Sequence, residues 1–213
     1  NFQFNKKNPR VQKLLGNILK ENSQILLSLS KNYLDSFSKR YLRKYQKYNK
    51  LRIIGMGGSS LGAQAIYSFL KHKIKKRISF LNNLDADEKQ SDEKHLNLII
   101  SKSGNTLETI VNSNFFINKN DKNIFITENK NSYLMRLAKK LKSEVVLHNN
   151  FIGGRYSVLS EVGMLPAELM GLNHSKFKNL ENLIKNKKFI NALVSNVSKT
   201  IFLIKKKNLI QSS

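Results

Sequence analysis

IIGMGGSSLGA, residues 53–63, runs a β-like apolar stretch into four glycines and two serines. Small residues after a strand let the backbone turn tightly and bring its N–H groups close to an anion. Two nucleotide loops share that outline, and neither fits. The dinucleotide pattern G-x-G-x-x-G takes Gly55 and Gly57 but meets Ser60 where its third glycine belongs. P-loop spacing takes Gly57 and Gly62, then finds Ala63 in place of the lysine. The loop is phosphate-like without being a nucleotide loop.

Around it the chain alternates between two grammars. Short β-like runs (LRIIG, ISFLN, LNLIIS, NIFIT, EVVLH) are separated by helical segments near 60–72, 105–119 and 130–142. This alternation predicts an α/β fold, a mainly parallel sheet with helices on both faces forming a three-layer αβα sandwich. Helices precede and follow it. Residues 10–48 read as helical, with Val11, Leu14, Leu15, Ile18 and Leu19 at helical spacing. A further helix is expected from about Ser157, with Pro166 inside it as a kink or break. The pattern is helical again from Lys176 to about Lys207. The division expected is an N-terminal helical segment (1–48), a central α/β domain (49–173) and a helical connection (174–213).

Composition narrows the function classes. The formal net charge of +24 invites a nucleic-acid reading, yet the lysines are spread along the chain and greatly outnumber arginines, the preferred residue for bidentate base contacts. No nucleic-acid partner is expected, only a positive field that favours anionic ligands. The absence of cysteine excludes disulfides, thiolate zinc sites and a thiol nucleophile. No metal is expected either, because His72, His95, His148 and His174 show no ligand spacing. No apolar run approaches the roughly 18 residues of a membrane helix, and none reads as a secretory signal, so the expectation is a cytoplasmic protein without a membrane partner. The chain starts at Asn1 rather than Met, which reads as a processed chain or a fragment.

In a doubly wound sheet, ligands bind outside the carboxyl ends of the strands. SKSGNTLET, residues 101–109, follows LNLII at such an end. It offers the hydroxyls of Ser101, Ser103 and Thr106 together with the free N–H groups of a new helix. Asn105 is the expected cap of that helix, with Glu108 three residues on as in a capping box. An ordinary capped turn needs one Ser or Thr rather than three. A third element, FIGGRYSVLS (151–160), places two glycines before Arg155, so that the backbone can approach a ligand with the guanidinium beside it.

GMGGSSLG, SKSGNTLET and GGRYSVLS, in that order and spacing, resemble the glucose-6-phosphate isomerase family, and NNLDAD (82–87) and ITEN (126–129) resemble further family segments between them. The resemblance covers roughly residues 50–173 and points to the first of the family's two sugar-isomerase (SIS) domains. It implies interconversion of glucose 6-phosphate and fructose 6-phosphate through an enediolate, in glycolysis and gluconeogenesis, with no cofactor. By the same resemblance Ser101, Ser103 and Thr106 hold the phosphate, helped by the backbone of Lys102 and the hydroxyl of Ser59. Gly58 and Gly154 let the backbone lie near the sugar, Arg155 stabilises the enediolate charge, and Glu108 orients Arg155 or the loop. Two departures are small: Ser60 stands where many members carry Asp, and Ser103-Gly104-Asn105 where Thr-rich variants are common. A larger one is that the family's glutamate base, from an E-S-x-G-K-like stretch, and its ring-opening histidine and late lysine have no counterpart motifs here. The expectation is an N-terminal part of an enzyme that is a homodimer when complete. The alternative is a stand-alone SIS module that binds sugar phosphate without chemistry.

Overall fold

A computed structural model describes residues 8–21, 23–84, 94–118 and 120–211. Five strands form where the β-like runs stand: β1 (Lys50–Ile54), β2 (Arg77–Leu81), β3 (Leu96–Ile100), β4 (Lys122–Thr127) and β5 (Glu144–Leu147). All pair in parallel, in the order β2-β1-β3-β4-β5. The reason lies in the connections. Helix α4 (Gly58–Leu70) carries the chain from β1 to β2; α5 (Leu107–Phe116) and α6 (Tyr133–Lys140) carry it from β3 through β4 to β5. A helical crossover returns the next strand in the same direction.

Both faces of the sheet are covered. Leu51 and Ile53, with Leu98, Ile100, Ile124 and Ile126, pack against Ala63 of α4 and against Val162, Leu165 and Leu169 of α7 (Glu161–Leu169). Ile54, Ile99 and Phe125 face the other way, onto Phe116, Leu134 and Ala138 of α5 and α6. That burial on both sides explains why β3 reads as a run rather than an alternation. Arg52, Asn97 and Asn123 stand side by side across the three central strands and are buried. They are satisfied: Arg52 Nη1 donates to the Phe116 carbonyl (2.8 Å), and Asn97 Nδ2 to Asp121 Oδ2 and Asn123 Oδ1 (2.9 Å each).

Three expectations change. The N-terminal helical run divides into α1 (Pro9–Lys20), α2 (Gln24–Ser28) and α3 (Lys39–Leu42), and residues 29–38 are not helical. Serines there compete with the helix: Ser30 Oγ accepts from the Asn32 N–H, and Ser38 caps α3. The stretch turns inward instead, where Asp35 pairs with Lys178 at 3.1 Å. Second, Gly154–Leu159 forms a 3₁₀ turn, and α7 begins after it, capped by Ser160. The helix runs through Pro166 to Leu169 without a break, because its flanking side chains are locked into the core. Third, the tail is not one helix. A 3₁₀ turn at His174–Phe177 and the short α8 (Glu181–Ile184) precede α9 (Lys187–Gln211), which packs against α1; Val194 of α9 is buried, and Ser198 Oγ accepts from the Asn8 N–H at the cap of α1.

Candidate functional site

The strand order reverses between β1 and β3: the chain leaves β1 toward β2 on one side and β3 toward β4 on the other. The crevice outside the carboxyl ends of these two neighbours is where such sheets bind ligands, and both unusual loops open onto it.

The loop after β3 is folded around its own hydroxyls. Ser101 is buried; its Oγ accepts from the Gly104 N–H at 3.1 Å and lies 2.9 Å from Thr106 Oγ1. Ser103 Oγ stands 3.4 Å from both, and accepts from the Asn105 N–H. Gly104 makes the turn possible at φ +65°, where a Cβ would also stand 2.2 Å from Ser132 Oγ. The three hydroxyls thus converge at the start of α5. The expected cap is corrected: the N-cap of α5 is Thr106, without a side-chain cap bond, while Asn105 Oδ1 accepts from the Tyr133 N–H at the start of α6 (2.9 Å). Thr106 is turned toward Ser101 instead, leaving the first N–H groups of α5 without a side-chain cap. Glu108 lies in the first turn, where its charge suits the helix dipole, and among the described residues it bonds to neither Arg155 nor the loop.

The loop after β1 turns at Gly57, φ +55°, into α4. A Cβ on Gly58 would stand 2.3 Å from the Gly154 carbonyl oxygen and 3.0 Å from the Arg155 nitrogen. Gly58 is therefore small so that the third motif can lie against the first. Ser157 fastens the contact, its Oγ donating to the Gly154 carbonyl at 2.7 Å with the Gly58 carbonyl at 3.4 Å. Arg155 is left exposed beside α4.

Two buried groups hold that turn. Glu161 accepts from the Asn149 N–H (2.7 Å) and from Tyr33 Oη (2.8 Å), closing the neck of the segment that carries Arg155. Lys178 donates to the Leu159 carbonyl at 2.6 Å. Burial pushes the Asp35 carboxyl up and the Lys178 ammonium down, each opposed by the charge of the other.

A cleft of about 370 Å³ at the strand ends is lined by Ser59, Lys102, Ser103, Thr106, Glu128 and Lys130. Ser59 of one loop and the hydroxyls of the other thus meet in one place, with Ser101 beneath them. Lys102 Nζ reaches across to the Asn150 carbonyl (2.8 Å) and to Glu128 Oε1 (3.5 Å). Sequence reasoning did not single out Glu128, Lys130 or Glu161 for the site. Two signals were available: ITEN (126–129), which includes Glu128, resembles a family segment, and Glu128 and Lys130 directly follow β4, the strand beside β3. Of NNLDAD, residues 85–87 lie outside the described part.

Fold and site together define an α/β domain that gathers hydroxyls and a helix N-terminus at the topological switch point. The phosphoglucose isomerase family model matches residues 43–201, and the chain belongs to that family. The chain is 34% identical over 182 residues to glucose-6-phosphate isomerase of Borreliella afzelii, covering 70% of this chain and 34% of that protein. It is 35% identical over 192 residues to the probable glucose-6-phosphate isomerase of Methanococcus maripaludis, covering 75% and 43%. It therefore spans about a third to two fifths of the length of these relatives. Two solved structures share the fold: a hypothetical protein of Thermus thermophilus (TM-score 0.69, 20% identity, 88% of this chain and 50% of that one), and a tagatose-6-phosphate ketose/aldose isomerase of Escherichia coli (0.51, 17%, 82% and 49%).

Proposed function

We propose that this chain supplies the phosphate-binding half of a glucose-6-phosphate isomerase, which interconverts glucose 6-phosphate and fructose 6-phosphate. One observation carries the reading: the Ser59 loop, the Ser101–Ser103–Thr106 hydroxyls and the Arg155 turn come together at one switch point, two of them through the Gly58–Gly154 contact. Ser59, Ser103 and Thr106 face the cleft and would hold the phosphate with the free N–H groups of α5; Ser101 braces Thr106 from below. Arg155 would sit near the sugar and stabilise charge on the enediolate, a role suited to a group that keeps its proton. Glu108 favours the fold of the α5 start. The proton transfer between C1 and C2 needs a base, which this reading assigns to the remainder of the longer protein that the relatives imply. In that reading residues 174–213 lead toward a second domain, the whole is a homodimer, and it works in the cytoplasm. Among the described residues no helix is long and apolar enough to cross a membrane.

The test is an isomerase assay of the complete gene product with fructose 6-phosphate, paired with thermal protection. Saturation at 100 times the dissociation constant stabilises by about 2.7 kcal/mol, and unphosphorylated fructose should give no shift. Equal shifts with both sugars would remove the phosphate assignment. A stand-alone binding module would show the protection without turnover.

A further inference from the structure

The hydroxyls and N–H groups of the cradle are neutral donors, whereas a phosphate ester carries close to two negative charges at neutral pH. The cleft contains the missing cations. Glu128 stands between two ammonium groups, 2.6 Å from Lys130 Nζ and 3.5 Å from Lys102 Nζ, and all three residues line the same cleft as Ser59, Ser103 and Thr106. The two lysines are not equivalent. Lys102 is tied by its further bond to the Asn150 carbonyl. Lys130 has no ammonium partner besides Glu128 among the described residues, and its side chain is 46% exposed. Glu128 itself is anchored: its N–H donates to the Lys102 carbonyl (3.2 Å), its carbonyl accepts from the Lys130 N–H (2.9 Å), and its side chain is only 14% exposed. Burial pushes the Glu128 carboxyl up, but Lys130 and Lys102 outweigh it and hold the group below its ordinary range, so it is charged at neutral pH.

Resting on the sugar-phosphate reading above, we propose that Lys130 is a further phosphate-binding residue of the cradle, and that Glu128 sets its strength by competing with the phosphate for that ammonium. A half-exposed ion pair is worth little and exchanges readily. A phosphate, with three acceptor oxygens and more charge, is the better partner for a mobile ammonium. The fixed carboxylate then has two effects: it keeps Lys130 at the mouth of the cleft, and it lowers affinity for any anion that brings too little charge to displace it.

The proposal is tested with the complete gene product, using calorimetric titration of inorganic phosphate at low ionic strength. Lys130→Met should weaken phosphate binding about tenfold, as loss of one close charge contact does. Glu128→Gln should tighten it about threefold, by removing a like charge and freeing Lys130. Lys139→Met, at the far end of α6, removes the same charge and should change nothing; thermal unfolding of each variant confirms that it is folded. Equal weakening by the Lys130 and Lys139 variants, unchanged binding in Lys130→Met, or no phosphate binding by the wild type would each overturn the proposal. Isomerase activity is read separately on fructose 6-phosphate. Variants that shift phosphate binding in a protein that isomerises nothing would uphold the Lys130 assignment and sink the isomerase reading.

Discussion

Arg155 is exposed, yet its backbone is held in place, lying against Gly58 and spanned by the Ser157 and Glu161 bonds. An exposed side chain on a fixed backbone suits a group that meets charge developing on a ligand. In the complete enzyme Arg155→Lys keeps the charge but loses the planar fork. Turnover should fall by about two orders of magnitude, the range for a lost electrostatic contact to a developing oxyanion, while KM changes little. Unchanged turnover would make Arg155 a surface residue. A second residue, His148, reports on the same segment through pH. Burial holds its imidazole below the ordinary 6.5, opposed by the hydrogen bond with the Asn149 carbonyl and by the Glu161 charge, with Lys102 and Glu128 also acting on it. Below about 6.5 the unfolded chain then binds more protons than the folded one, so stability rises with pH through the window beneath 6.5 and is lost on acidification. His148→Gln should therefore lose less of its melting temperature than the wild type between pH 7.5 and 5.5. Parallel losses would show that His148 titrates alike in both states.

At the scale of elements, the site depends on a contact between two turns with no side chain between them. Gly58→Ala would push a methyl into the Gly154 carbonyl, where both neighbours are backbone and cannot yield cheaply. The expected outcome in the complete enzyme is a loss of turnover with the affinity for inorganic phosphate retained, because Ser103 and Thr106 stand on the other loop. Loss of both together would mean that the two loops move as one body. The strands were legible because each is a short, largely apolar run bounded by polar turns, and the three motifs were legible because each follows a strand. What could not be read was pairwise. Asn105 looked like a cap for its own helix, yet its side chain serves the start of α6, 28 residues on. Nothing local says that Gly58 must be small for a carbonyl 96 positions away, nor that Tyr33 and Asp35 would leave a helical pattern to meet Glu161 and Lys178. Such partners are chosen by the tertiary fold, and one sequence carries no record of them.

For the whole molecule, the decisive quantity is how much of the catalytic apparatus one third of a relative's length can hold. In the proposed mechanism this chain carries a phosphate cradle and one charge stabiliser. Glu128, the carboxylate lining the cleft, is paired with two lysines, and the proposed mechanism puts it at the phosphate end, away from the carbons that exchange a proton. General acid–base groups contribute about 10²–10⁴-fold each, so the 213-residue chain alone should turn over fructose 6-phosphate at or near background. Apolar side chains also stay uncovered on α9, where Phe202, Leu203 and Ile204 are each more than half exposed, and on α5, where Leu107, Val111 and Phe115 form a stripe at helical spacing. Surface of this kind favours association, so the purified chain should self-associate or dissolve poorly. The measurement is an isomerase assay on this chain, repeated after adding the separately expressed remainder of the gene product. Activity that appears only on mixing places the base in the other part and the phosphate site here. Robust turnover by the chain alone would require a base among its own residues, with Glu108 the first to substitute, since it stands half-buried in the first turn of α5, two residues beyond Thr106.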